Sequence, residues 1–245
     1  MTRFSHQGQR IPRRFLHLRL ALAVLALWPL FGTHALASSG EKPARKLRLV
    51  ILGDSLSAGF GVERELAYPA LLQRKIDHEG RIACEVVNAG VSGDTSGAGL
   101  RRTDWVLRGG VDLFILELGG NDGLRGIPPT ATKSNLQGII DKVRKSNSHA
   151  QILIAGMRMP ASVGKEYEAE FAAIFPDLAK SNGTSLIPFL LEGVAGDPKL
   201  NLPDMIHPTR EGHVIIAETV WKHLKPLLAV VQNTRDGHGV GPTSP

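Results

Sequence analysis

Short apolar runs alternate with longer amphipathic stretches along most of this chain, the signature of βα units around a parallel sheet. The runs Leu47 to Leu52, Ala83 to Val87, Asp112 to Leu118, Gln151 to Met157 and Ser185 to Pro188 predict five strands. Most are continuously apolar rather than alternating, so helices should cover both faces of the sheet. The stretches Leu66 to His78, Gly97 to Leu107, Thr132 to Ser146 and Lys165 to Lys180 predict helices, each starting or ending near a Gly, Pro, Ser or Thr. A last helix follows Pro208, where Ile216, Val220 and Leu224 recur every four residues and give one face to bury. The expectation is one three-layer α/β domain over residues 47–231, built on a five-stranded parallel sheet.

The ends of the chain depart from this pattern. Arg3, Arg10, Arg13, Arg14 and Arg19 lead into the apolar run Leu20 to Phe31, followed by Ala35-Leu36-Ala37. That is the pattern of a signal peptide, with cleavage expected after Ala37. The uninterrupted run is short for a membrane anchor, and the arginine pair leaves Sec and twin-arginine export both open. A charged linker, residues 38–46, precedes the domain. After Val231 the chain turns to Asn, Thr, Gly, His, Pro and Ser, and residues 232–245 are expected to be a flexible tail.

The formal charge of +6 changes meaning once the leader is set aside. Five of the 29 basic residues and none of the 23 acidic ones precede Ser38, leaving 24 against 23. With no basic cluster in the remainder, a nucleic-acid partner is not expected. Cys84 is the only cysteine, so no intramolecular disulfide forms, and its strand-like flanks predict a buried structural thiol. A monomer is the default expectation.

Polar residues gather just beyond three of the strands, where open α/β sheets bind ligands. The first loop, Gly53-Asp54-Ser55-Leu56-Ser57-Ala58-Gly59, presents a serine on a glycine-flanked turn. It lacks the Gly-Lys-Ser/Thr ending of a phosphate loop, and Ser57 stands where a nucleophile elbow has Gly. In the second, Asn88 to Ser96, Gly93 can bring its backbone N–H close to a substrate, while Asp94 or Ser96 can cap the following helix. In the third, Glu117-Leu118-Gly119-Gly120-Asn121-Asp122-Gly123, Asn121 offers two side-chain donors and Asp122 an acceptor. Late in the chain, Asp204 and His207 lie three apart, close enough for the carboxylate to reach one imidazole nitrogen and leave the other for a serine. Pro208 keeps His207 out of the helix that follows.

Together these blocks resemble those of the SGNH (GDSL) hydrolases: Gly53 to Gly59, Ser92-Gly93-Asp94-Thr95-Ser96, Gly119 to Gly126, and Asp204-x-x-His207-Pro208. Within that superfamily the likeness is greatest to the bacterial periplasmic thioesterase I group of broad esterases, arylesterases and lysophospholipases, and it runs from about Leu49 to about Leu228. The resemblance implies a flavodoxin-like sandwich. It makes Ser55 the nucleophile, Asp204 and His207 the other triad members, and Ser55, Gly93 and Asn121 the oxyanion donors. It also implies that Arg158-Met159-Pro160 lines an acyl site, with Met157 and Met159 touching the acyl chain, and that residues 123–129 form a mobile loop beside it. Met205 departs from the family, whose close members tend to carry Gly there.

The implied substrate is a small acyl ester or lysophospholipid, with no metal or organic cofactor required and a periplasmic or secreted address. Two other classes compete. A metal-dependent phosphoesterase would use Asp54, Asp122, Asp204 and His207 as ligands, but the Asn121 loop has no His to contribute. A non-catalytic lipid- or carbohydrate-binding module would keep the fold without needing every catalytic position filled.

Overall fold

A computed structural model of the chain describes residues 45–235 and 237. The expected signal peptide, its cleavage point, most of the linker and the end of the tail lie outside the described residues. Five strands, β1 (Leu47–Gly53), β2 (Cys84–Gly90), β3 (Leu113–Glu117), β4 (Gln151–Ala155) and β5 (Ser185–Ile187), form one parallel sheet in the order β2-β1-β3-β4-β5. That is the flavodoxin-like order. All five residues of β3 are buried, as the apolar strand runs require of a sheet covered on both faces.

Seven α-helices complete the described chain: α1 (Ser55–Ala58), α2 (Tyr68–Glu79), α3 (Ser96–Val106), α4 (Gly120–Leu124), α5 (Pro129–Ser146), α6 (Lys165–Asn182) and α7 (Arg210–Arg235). Helix α2 packs with α7, and α5 lies between α3 and α6. Right-handed crossovers put these two groups on opposite faces of the sheet. In α5 the buried residues Leu136, Ile139, Ile140 and Val143 recur at helical spacing, and in α7 Ile216, Val220 and Leu224 form the expected inner face.

Several boundaries differ from the sequence-based expectation. Strands β1 and β2 run on to Gly53 and Gly90, which pair with each other, so Asn88 to Gly90 belong to the sheet rather than to a loop. Strand β4 ends at Ala155, which releases Met157 from the sheet. Helix α5 starts at Pro129, ahead of Thr132, because proline is well placed in a first helical turn, where its missing N–H is not needed. Helix α7 continues to Arg235, so residues 232–235 are helical rather than part of a flexible tail. Polar side chains suit a solvent-facing last turn, and Thr234 Oγ1 donates back to the Val230 carbonyl at 3.0 Å.

The cysteine expected to be structural is so placed, and a buried histidine joins it. Cys84 is buried and unpaired, and burial pushes its thiol up to about 11. His213, in the first turn of α7, is fully buried, and its Nδ1 accepts the Tyr68 N–H at 3.3 Å. Burial, helped by His207, lowers the His213 pKa from 6.5 to about 4. The folded state therefore resists a proton that the unfolded chain accepts below 6.5, and stability is lost as pH falls from there toward 4. Relative to a His213→Gln variant, the wild type should lose up to about 3 kcal/mol across that window in urea titrations. A difference independent of pH would contradict this account.

Candidate active site

The chain leaves β1 toward β2 and then crosses back to β3 on the other side, so the loops after β1 and β3 diverge and open a crevice at their carboxyl ends. Ser55 stands on one lip, as the first residue of α1. Asp54 caps that helix, its Oδ1 accepting the Leu56 N–H at 3.0 Å. Helix α1 sits tightly on the sheet because Gly90 has no side chain: a Cβ there would lie 2.4 Å from Ala58 N. Asn88 Nδ2 also donates to the Ser57 carbonyl at 2.7 Å.

His207 reaches Ser55 from the other end of the chain, with Nε2 2.9 Å from the serine Oγ. Its Nδ1 lies 2.7 Å from Asp204 Oδ2, so a neutral ring with its proton on Nδ1 donates to the carboxylate and accepts from the serine. The turn that makes this possible is local. Leu202 N donates to the His207 carbonyl at 2.7 Å, and Asn201 and Pro208 form an antiparallel bridge. Asp204 Oδ1 accepts the N–H groups of Ile206 at 2.9 Å and His207 at 3.0 Å. Those bonds, the His207 backbone N–H first and its ring second, hold the Asp204 carboxyl at about 2. The turn passes through the left-handed region at Met205, φ 59°, the one non-glycine residue there among the described residues. That conformation explains why glycine suits the position. Phe60 covers the imidazole, with ring centroids 4.4 Å apart.

Asn121, on α4, joins the other two loops. Its Nδ2 donates to Asp54 Oδ2 at 3.1 Å and to the Asp94 carbonyl at 3.0 Å, beside Ser55 and Gly93 respectively. Gly93 adopts φ 83°, and Arg125 Nη2 donates to its carbonyl at 2.9 Å. Arg102 braces the same region, donating to the Gly53 and Ala89 carbonyls at 2.9 and 2.7 Å and pairing with Asp94 at 2.6 Å.

Beyond Ser55 and His207 lies a cleft of about 520 Å³, lined by apolar side chains that include Leu124, Met157, Met159, Phe189, Leu191 and Ile206. Met159 fills the space over Gly123, where a Cβ would collide with its sulfur. Gly123 and Leu124 are the end of α4 rather than loop. The Ile127 carbonyl accepts the Tyr167 hydroxyl at 2.7 Å.

The structure thus brings Ser55, His207, Asp204 and Asn121 together and places both methionines on the cleft wall. Asp122 is not with them: its carboxylate accepts from Ser96 N at 2.7 Å, the Ser96 hydroxyl and Thr132 Oγ1. Among the described residues no three His, Cys, Asp or Glu side chains gather as a metal set. Sequence reasoning missed the parts played by Asp54, Glu117, Arg102 and Phe60. Asp54 was detectable as a capping residue and Glu117 as an acid closing an apolar strand. The contacts of Arg102 and Phe60 span too many residues to carry a local signal.

A serine-bearing turn at the switch point of a flavodoxin-like sheet, bonded to an imidazole–carboxylate pair and facing an apolar cleft, fits a hydrolase acting on ester bonds. The model of the GDSL-like lipase/acylhydrolase family matches residues 51–215, and the chain belongs to that family. It is 42% identical to the thioesterase 1/protease 1/lysophospholipase L1 of Escherichia coli K12 over 181 residues, 74% of this chain and 84% of that one. It is 37% identical to the arylesterase of Vibrio mimicus, covering 83% of this chain and 98% of that protein. Among solved structures, the esterase EstA from Pseudoalteromonas, inhibited by monoethylphosphonate, superposes with a TM-score of 0.70 at 31% identity, covering 74% of this chain and 98% of that one. Among the described residues, no helix is long and apolar enough to cross a membrane.

Proposed function

We propose that this chain is an exported serine esterase that cleaves carboxylic ester and thioester bonds through an acyl-enzyme, with Ser55 as nucleophile. The observation that carries the reading is the relay from Ser55 Oγ through His207 to Asp204, opening onto an apolar cleft. As Oγ attacks the carbonyl carbon, His207 Nε2 takes its proton, and Asp204 fixes the tautomer and stabilises the imidazolium. The electron pair of the carbonyl bond moves onto its oxygen, where the Ser55 and Gly93 N–H groups and Asn121 receive the charge. The C–O or C–S bond then breaks, the leaving group takes the proton from His207, and water repeats the sequence on the acyl-enzyme.

The cleft supports an acyl chain, bounded by Met157 and Met159, as the recognised half of the substrate. The residues ahead of Ser38 support export to the periplasm. Incubation with a fluorophosphonate, in the presence of a strong chelator, should label Ser55 stoichiometrically and abolish turnover of an aryl acetate. Lack of labelling, or activity lost to the chelator alone, would overturn the assignment.

A further inference from the structure

The chemistry above leaves unused a polar cluster directly behind the nucleophile. Glu117, the last residue of β3, is fully buried. Its Oε2 accepts the Asp54 N–H at 3.2 Å and the Ser57 hydroxyl at 2.5 Å, and Tyr68 Oη lies 2.6 Å from that hydroxyl. Its Oε1 has no hydrogen-bond partner among the described residues. Asp54, itself 2% exposed, is the neighbouring carboxyl.

No lysine or arginine pairs with either acid among the described residues. Arg102, which reaches the Gly53 carbonyl, is spent on two carbonyls and Asp94. His207 faces Asp54 from the loop before α7, and Tyr68 faces Glu117 from α2. Two ionised carboxylates are not sustained in so dry a place, where the first charge opposes the second. The single charge belongs on Asp54, whose two oxygens accept the Leu56 and Asn121 N–H groups, and not on Glu117, whose Oε1 stands idle.

We propose that Asp54 and Glu117 form a carboxyl pair carrying one negative charge, and that this pair positions Asn121 for its work. This rests on the oxyanion reading of Asn121. Neutral Glu117 clamps the Asp54 backbone and Ser57, while ionised Asp54 grips one amide hydrogen of Asn121. The other hydrogen rests on the Asp94 carbonyl at 3.0 Å and is the one that passes to the oxyanion when substrate arrives. Burial pushes both acids in the required direction, Asp54 to about 6 and Glu117 well above the usual carboxylate range. Both are positioning residues, since neither is assigned a contact with the reacting atoms.

The test compares the full-length wild type with Asp54→Asn, Glu117→Gln and Asn121→Ala at neutral pH on a short-chain aryl ester. Asp54→Asn turns an NH2 toward the NH2 of Asn121. It should lower kcat by about ten- to hundredfold with little change in KM. Glu117→Gln should lower kcat by clearly less than Asp54→Asn does, because it keeps a neutral group with one oxygen acceptor. Infrared spectra of protein carrying carbon-13 glutamate should show a protonated carboxyl band at neutral pH that Glu117→Gln abolishes, a readout independent of activity and of whether Asp54→Asn folds. The absence of that band, wild-type kcat in a folded Asp54→Asn, or equal damage from Glu117→Gln would overturn the pair. Asn121→Ala should lose about a hundred- to thousandfold in kcat. An undamaged Asn121→Ala would sink the oxyanion reading instead, whatever the spectrum shows.

Discussion

Replacing Ser55 by Ala is expected to lower ester hydrolysis by about ten-thousand- to a millionfold while leaving the fold intact. The serine hydroxyl makes its bond to His207 at 2.9 Å and, in the proposed mechanism, supplies the atom that bonds to the acyl carbon. Alanine removes both without disturbing α1, whose cap is Asp54 and whose seat is Gly90. The residual rate would come from the cleft and the oxyanion donors acting on water. Steady-state hydrolysis of nitrophenyl acetate, with near-ultraviolet circular dichroism to check the fold, decides the matter. A folded variant retaining more than about one per cent of wild-type kcat/KM would remove Ser55 from the chemistry.

Asp204→Asn is expected to cost roughly a thousand- to ten-thousandfold in kcat, with KM for a small ester little changed. The amide oxygen can still accept the backbone N–H groups of Ile206 and His207, so the turn survives. Its NH2 would face His207 Nδ1 at the place now taken by a carboxylate oxygen 2.7 Å away. That contact is favourable only if the ring moves its proton to Nε2, where it repels the serine hydroxyl proton. Asp204 is absent from the cleft wall, which is why binding should be spared. Because its hydrogen bonds hold the carboxyl at about 2, Asp204 stays ionised across the working range, and the loss should be uniform through neutral pH. A kcat deficit below tenfold would mean that the carboxylate does not set the tautomer.

The strand centres and the order of the four polar blocks were legible in the chain because apolar runs and turn residues are local signals. Local signals also pointed to the Asp204–His207 pair, whose three-residue spacing needs no long-range information. What stayed hidden depended on partners far away in sequence. Glu117 reads locally as an acid leaving a strand for solvent, yet pairing of β3 with β1 puts it beside Asp54 in the interior. Asp122 reads as a site residue from its neighbours, but the start of α3 claims its carboxylate. Met205 was visible as a departure, and only the backbone shows that it occupies a conformation disfavoured for any side chain.

The turn bearing Asp204 and His207 is closed by its own backbone, but it meets Ser55 only after the chain has crossed the sheet from its second strand position to its far edge. A ribosome delivers the hydroxyl early and the imidazole late. The hydroxyl and the imidazole can therefore meet only once both ends of the described domain are in place, and in the proposed mechanism ester cleavage waits on that closure.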